Sequence, residues 1–94
     1  MNEIDILDIF YDELRARGVD RTTLFISIDD TVVAKLSEKL GGNVQLADVQ
    51  HLVDICIANE WIERTTADPH YKYLSLTNDG LEIAIAQQYK SSKR

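Results

Sequence analysis

The sequence predicts a single, mostly helical α+β domain, and two patterns carry that expectation. Apolar residues return every three or four positions in four separate stretches, and between the third and fourth lie two strand-prone runs separated by Asp68-Pro69. With 94 residues, 45% of them hydrophobic and 28% charged, the chain has room for one modest core and ordinary globular usage. One domain over 1–94 is therefore expected, ordered from about 4 to 89 and frayed over 90–94.

The first helix is expected from Ile4 to Arg17, where Ile4, Leu7, Phe10, Tyr11 and Leu14 form one stripe and Gly18 is a natural stop. Asp5, Asp8, Asp12 and Arg15 make its wet face, while Ile6 and Ile9 fall to the side of the stripe. Residues 18–23 read as a turn, and Leu24-Phe25-Ile26 as a minimal strand. Ser27 stands where an N-cap is needed and Asp30 adds first-turn negative charge, so the second helix is expected from Ile28 to Leu40. Its stripe is Ile28, Val32, Val33, Leu36 and Leu40, and Gly41-Gly42 ends it.

The third helix begins around Gln45 to Ala47 and ends near Asn59. At 100° per residue, Leu46, Val49, Leu52, Val53, Cys56 and Ile57 share its inner side, leaving Ala47, Gln50, His51, Asp54 and Ala58 outside with Ile55 at the margin. Trp61 to Thr66 and Tyr71 to Leu76 read as paired strands, the second with Lys72, Leu74 and Leu76 on one face and Tyr71, Tyr73 and Ser75 on the other. Trp61 is expected to plug the core. Thr77 caps a last helix whose stripe is Leu81, Ala84, Ile85 and Tyr89.

Sixteen acidic against ten basic residues give a net charge of −6, the wrong sign for a protein that draws its affinity from neutralising phosphates. No apolar run is long enough for a membrane span, and the opening Met-Asn-Glu-Ile-Asp lacks the basic start of a signal peptide; a cytoplasmic location without membrane contact is expected. The single cysteine, Cys56, excludes an intramolecular disulfide and a cysteine-based zinc site, and reads as a small core residue.

Tyr73-Leu74-Ser75-Leu76-Thr77-Asn78-Asp79-Gly80-Leu81 is similar to the Y-x-L-T-x-x-G run by which many winged helix-turn-helix domains leave the second wing strand and enter a helix. Asn59-Glu60-Trp61-Ile62 resembles the helix-to-wing junction, with Asn59 or Glu60 where a glycine is common. Over roughly residues 4–89 the chain resembles winged-helix regulators of the MarR and PadR type. The resemblance implies a three-helix core with a short strand, a two-stranded wing and a C-terminal helix.

It also implies that the third helix and wing form the binding surface. Ala47, Gln50, His51, Asp54, Ile55, Arg64, His70, Tyr71, Lys72 and Tyr73 are the contact candidates. Gln50 and His51 suit base edges, but Asp54 repels phosphate and no nearby Lys or Arg offsets it. The leading expectation is a non-catalytic regulatory module that binds a protein partner through this face. The alternative is a dimeric DNA-binding transcriptional regulator using Gln50, His51, Arg64 and Lys72, with Lys35 and Lys39 completing a positive stripe.

Terminal helices often build the dimer interface in such regulators, which makes Ile6, Ile9, Ile83 and Ala86 candidates for a homodimer contact. Catalytic chemistry is not assembled. His51 and Asp54 are too few for a metal site, Ser27, Ser37 and Ser75 lack a nucleophile-elbow context, and Gly41-Gly42 lacks the lysine of a phosphate loop. No enzyme activity, metal or cofactor is expected.

Overall fold

Local capping chemistry sets where each helix begins. In the computed structural model, which describes residues 2–66 and 70–92, α1 spans Glu3–Arg17. Asn2 Oδ1 accepts from the amides of Ile4 and Asp5 at 3.0 and 3.3 Å, and the Asp5 carboxylate accepts the Asn2 N–H at 2.8 Å. That reciprocal box satisfies amides that have no partner inside the helix. Gly18, at φ 63°, closes α1 by donating to the Leu14 carbonyl at 2.9 Å.

α1 is buried on more than one side because α3 and α4 both pack on it. Ile6 and Ile9, expected to lie spare for a dimer, are therefore core residues of this chain, 1% and 6% exposed. Asp8, expected on the wet face, is half-buried where Gln88 Nε2 donates to it at 3.5 Å, and burial raises its pKa against the pull of Lys39.

After a 3-10 turn at Arg21–Thr23, Leu24 and Ile26 point inward while Phe25 stays exposed. The expected strand reduces to one antiparallel bridge, Ile26 with Leu74. Helix α2 spans Asp30–Leu40, two residues later than expected, because Asp29 and not Ser27 is its cap. Asp29 Oδ1 accepts from Thr31 and Val32 at 3.0 and 3.3 Å. The Ser27 hydroxyl accepts the Tyr73 amide at 3.1 Å and Ile28 N–H donates to the Tyr71 carbonyl at 2.7 Å, so both are held by the hairpin. Within α2 only Val32 and Leu36 are buried, and Leu40 is exposed before the left-handed Gly41.

Helix α3, Leu46–Ala58, buries Val49, Val53 and Cys56. Its end is a left-handed cap without glycine. Glu60 adopts φ 62° and donates to the Ile57 carbonyl at 3.0 Å, while Trp61 N–H reaches Cys56 at 2.9 Å. These are the two bonds of a Schellman motif, with glutamate where glycine is usual. Burial, and secondly the nearby Glu3, push the Cys56 thiol up to about 12, so it stays neutral, donating to the Glu3 carbonyl at 3.5 Å.

The hairpin pairs β1 (Ile62–Arg64) with β2 (Leu74–Leu76), antiparallel, with Ile62 opposite Leu76. Both strands are shorter than expected. Tyr73 sits at φ 55°, which breaks the alternation before β2, so Tyr71 and Tyr73 are not neighbours on one regular strand face. The expected turn at Asp68-Pro69 lies outside the described residues, as do Lys93 and Arg94.

Helix α4 runs Asn78–Ser92, continuing past the point where fraying was expected. Thr77 Oγ1 accepts the Gly80 amide at 3.1 Å and donates to the Glu60 carbonyl at 2.6 Å, and Thr77 N–H donates to the Trp61 carbonyl at 3.0 Å. Over residues 78–90 the buried positions are the small ones, Gly80 and Ala84, and the expected stripe residues Ile85 and Tyr89 are 44% and 60% exposed. Phe10 is the largest fully buried side chain; Trp61 is only partly buried, at the margin of the core.

A Cβ at Gly80 would lie 2.1 Å from the Trp61 carbonyl oxygen. Gly80→Ala is expected to lower stability by about 1–3 kcal/mol, the usual range for forced overpacking. Glu60→Gly should go the other way by about 1 kcal/mol at most, relieving left-handed strain. Urea denaturation checks both, and a stabilised Gly80→Ala variant would contradict the close approach.

Candidate functional site

The third-helix face and hairpin come together through charge. Asp54, on the outer side of α3, accepts a hydrogen bond from the Tyr71 hydroxyl at 3.0 Å, and Arg64 Nη2 of β1 lies 3.9 Å from the other Asp54 oxygen. The Arg64 guanidinium stands over the Tyr71 ring, 5.2 Å from its centroid, and its Nη1 donates to the His70 carbonyl at 3.3 Å. A carboxylate, a phenol and a guanidinium thus latch the hairpin to α3. The expectation that no cation offsets Asp54 is corrected: Arg64 comes from the hairpin, ten residues away in sequence.

Around this latch, Ala47, His51 and Ala58 are exposed, and Gln50 and Ile55 are half-buried at the flanks of α3. His70 and Lys72 are exposed on the hairpin, and Tyr71 is half-buried. Tyr73 is 57% exposed, but its backbone is tied to Ser27 through its N–H and to the Thr65 hydroxyl through its carbonyl, and its ring does not join the latch. Of the ten contact candidates, the structure links Asp54, Arg64, His70 and Tyr71 and leaves the others as flanking surface.

The second pair of expected cations is turned away from this face toward α1. Lys35 Nζ lies 2.7 Å from Glu13 Oε1 and Lys39 Nζ lies 2.9 Å from Asp12 Oδ2. Glu13 also receives Arg17 Nε at 3.1 Å. The hydrogen bond from Lys35 is the main reason the Glu13 carboxyl lies below its usual range, opposed by partial burial. A continuous positive stripe through Lys35, Lys39, Arg64 and Lys72 is therefore broken at three of its four members by carboxylate partners.

At the terminal helices, Ile83 is half-buried and Ala86 exposed; Ile6 and Ile9 do not join them. Exposed Ile85 and Tyr89 sit with Tyr11 and Arg15 beside a shallow groove of about 400 Å³ between α1 and α4. Sequence periodicity placed Ile85 and Tyr89 in the core. The sign that they face out is Gly80 and Ala84, whose small size marks the side where α4 makes its close approach.

Among the described residues, no group of three or more His, Cys, Asp or Glu side chains is placed to hold a metal ion, and no helix is long and apolar enough to cross a membrane. The established class is α+β, mostly helical, with four α-helices and a two-stranded antiparallel sheet among the described residues. No protein-family model, curated protein or solved structure matches the chain.

Burial first, and then the bond to Asp54, raise the Tyr71 pKa above the ordinary phenol value. A raised folded-state pKa favours the protonated phenol, so this contribution is complete below pH 10 and is lost as pH rises through the folded value. Asp54→Ala should bring the Tyr71 titration back toward the ordinary value, followed by NMR of the tyrosine ring carbon. It should cost no more than about 1 kcal/mol, since Asp54 and Arg64 are exposed. An unmoved titration would show that the hydroxyl does not meet Asp54.

Proposed function

We propose that this chain is a small, non-catalytic winged helix-turn-helix module with a regulatory role, binding a protein partner through α3 and the hairpin in the cytoplasm. The layout supports the reading: three helices, a segment at Ile26 bridged to β2, a hairpin directly after α3, and a closing helix against α1. The Leu76-Thr77-Asn78-Asp79-Gly80 exit adds the resemblance to MarR and PadR regulators.

The internal pairing of the cations carries the choice of partner. A lysine held by a carboxylate brings that negative charge with it, so Lys35–Glu13, Lys39–Asp12 and Arg64–Asp54 present little net positive charge to a phosphate backbone. What α3 offers instead is a small-residue surface, Ala47 and Ala58, beside His51, half-buried Ile55 and the Tyr71 latch. Tyr71 is the kind of side chain enriched at protein contacts, and the face around it carries little net charge. A homodimer through α4, with Ile83 and Ala86 joined by exposed Ile85 and Tyr89, is part of the same proposal.

The test is a pull-down from host lysate with the wild-type chain and an Ala47→Arg variant, each with and without DNase. Partners that survive DNase and are lost with Ala47→Arg are the expected result. Loss of every specific partner on DNase treatment, together with saturable duplex binding at about 150 mM salt, would establish the DNA-binding alternative instead.

A further inference from the structure

We propose a second binding site, on the side of segment 24–28 facing away from the hairpin: a cleft that takes an extended peptide of a partner protein as an added strand. The backbone directions carry it. Ile26 exchanges both its N–H and its carbonyl with Leu74 at 2.9 Å, and Ile28 N–H donates to Tyr71, so alternate residues of the segment turn toward the hairpin. In extended chain the intervening residues turn the opposite way. The main-chain N–H and carbonyl groups of Phe25 and Ser27 make no hydrogen bond among the described residues, and Phe25 is 46% exposed.

An open cleft of about 200 Å³ lies against this edge, between α1 and the start of α2. Ile9, Ile26 and Val32 are its apolar lining, and Glu13, Arg17, Asp29 and Lys35 its charged rim. The volume is below the roughly 300–1,000 Å³ of a small-molecule pocket, but an aliphatic side chain needs less. Two sets of donor and acceptor repeating at about 7 Å match an extended backbone, whose own groups recur at that spacing.

The rim selects the side chains. Arg17 and Lys35 share the Glu13 carboxylate and, with Asp29, the rim is balanced in charge, yet the two cations keep 57% and 51% of their side chains exposed against 21% for Glu13. Asp29, which also borders the cleft, has its Oδ1 turned to the Thr31 and Val32 amides. The occupant is thus an extended segment with aliphatic residues at alternate positions and an Asp or Glu beside them. This site shares no residue with the α3 face and stands independently of the function proposed for it.

Selection of a random heptapeptide phage library on the full chain, then titration of the enriched synthetic peptide against isotope-labelled protein, tests the site. The expected peptides alternate aliphatic residues next to a carboxylate and shift the amides of Phe25 and Ser27 saturably. N-methylation of the paired peptide amides should lower affinity roughly ten-fold. Arg17→Glu should weaken binding similarly, whereas Ala47→Arg should leave it unchanged. No enriched sequence, shifts centred on α3 and the hairpin, or indifference to N-methylation overturns the proposal. Self-association through the same amides without peptide would overturn the peptide occupant in favour of a second copy.

Discussion

The junction at Glu60 and Trp61 joins α3, the hairpin and α4 at one point. A left-handed glutamate costs about 1 kcal/mol relative to glycine once glycine's greater unfolded-chain freedom is counted, yet four hydrogen bonds converge on it and its neighbour. Two close the helix end through the Glu60 and Trp61 amides, and two come from Thr77, whose hydroxyl and amide take the Glu60 and Trp61 carbonyls. At about 1 kcal/mol each, these outweigh the strain. The Thr77 oxygen that reaches back to Glu60 also caps α4, so one side chain fixes the exit from α3 and the entry to α4. Gly80 then allows the first turn of α4 to close on the Trp61 carbonyl.

That geometry decides what the binding face contains. With α3 and β1 held at a fixed angle, Arg64 comes within reach of Asp54 and Tyr71 closes over both. The helix that would meet DNA in a winged-helix regulator thereby carries a carboxylate, Asp54, that is tied to the hairpin and neutralises its cation, Arg64. The same economy of charge recurs between α1 and α2, where Asp12, expected on the wet face, and its neighbour Glu13 receive the two lysines of α2. Exposed pairs of this kind add little stability. Their effect lies in the surface potential, because they leave the chain's acidic excess uncompensated by any basic stripe.

The helices and their chemistry were legible in the sequence wherever a local signal was unambiguous: Gly18 and Gly41 as left-handed stops, Thr77 as a cap, and Cys56 facing inward. Competing local signals were harder to rank. Ser27, Asp29 and Asp30 are all capping residues, and Asp29 became the cap because the hairpin holds Ser27 and Ile28 elsewhere. Ile6 and Ile9 looked spare because a stripe one helix face wide assumes one neighbour, whereas α1 has α3 and α4 on different sides.

By itself the sequence determined a mostly helical α+β chain with a hairpin before its last helix, since periodicity and capping act over a few residues. Only the tertiary structure decided which charges meet. Asp54 and Tyr71 are 17 positions apart and Lys35 and Glu13 are 22, distances over which no periodic signal reports contact. Tertiary packing likewise left Phe25 and Ser27 with unpaired backbone edges beside a cleft, because the hairpin pairs with only alternate residues of that segment.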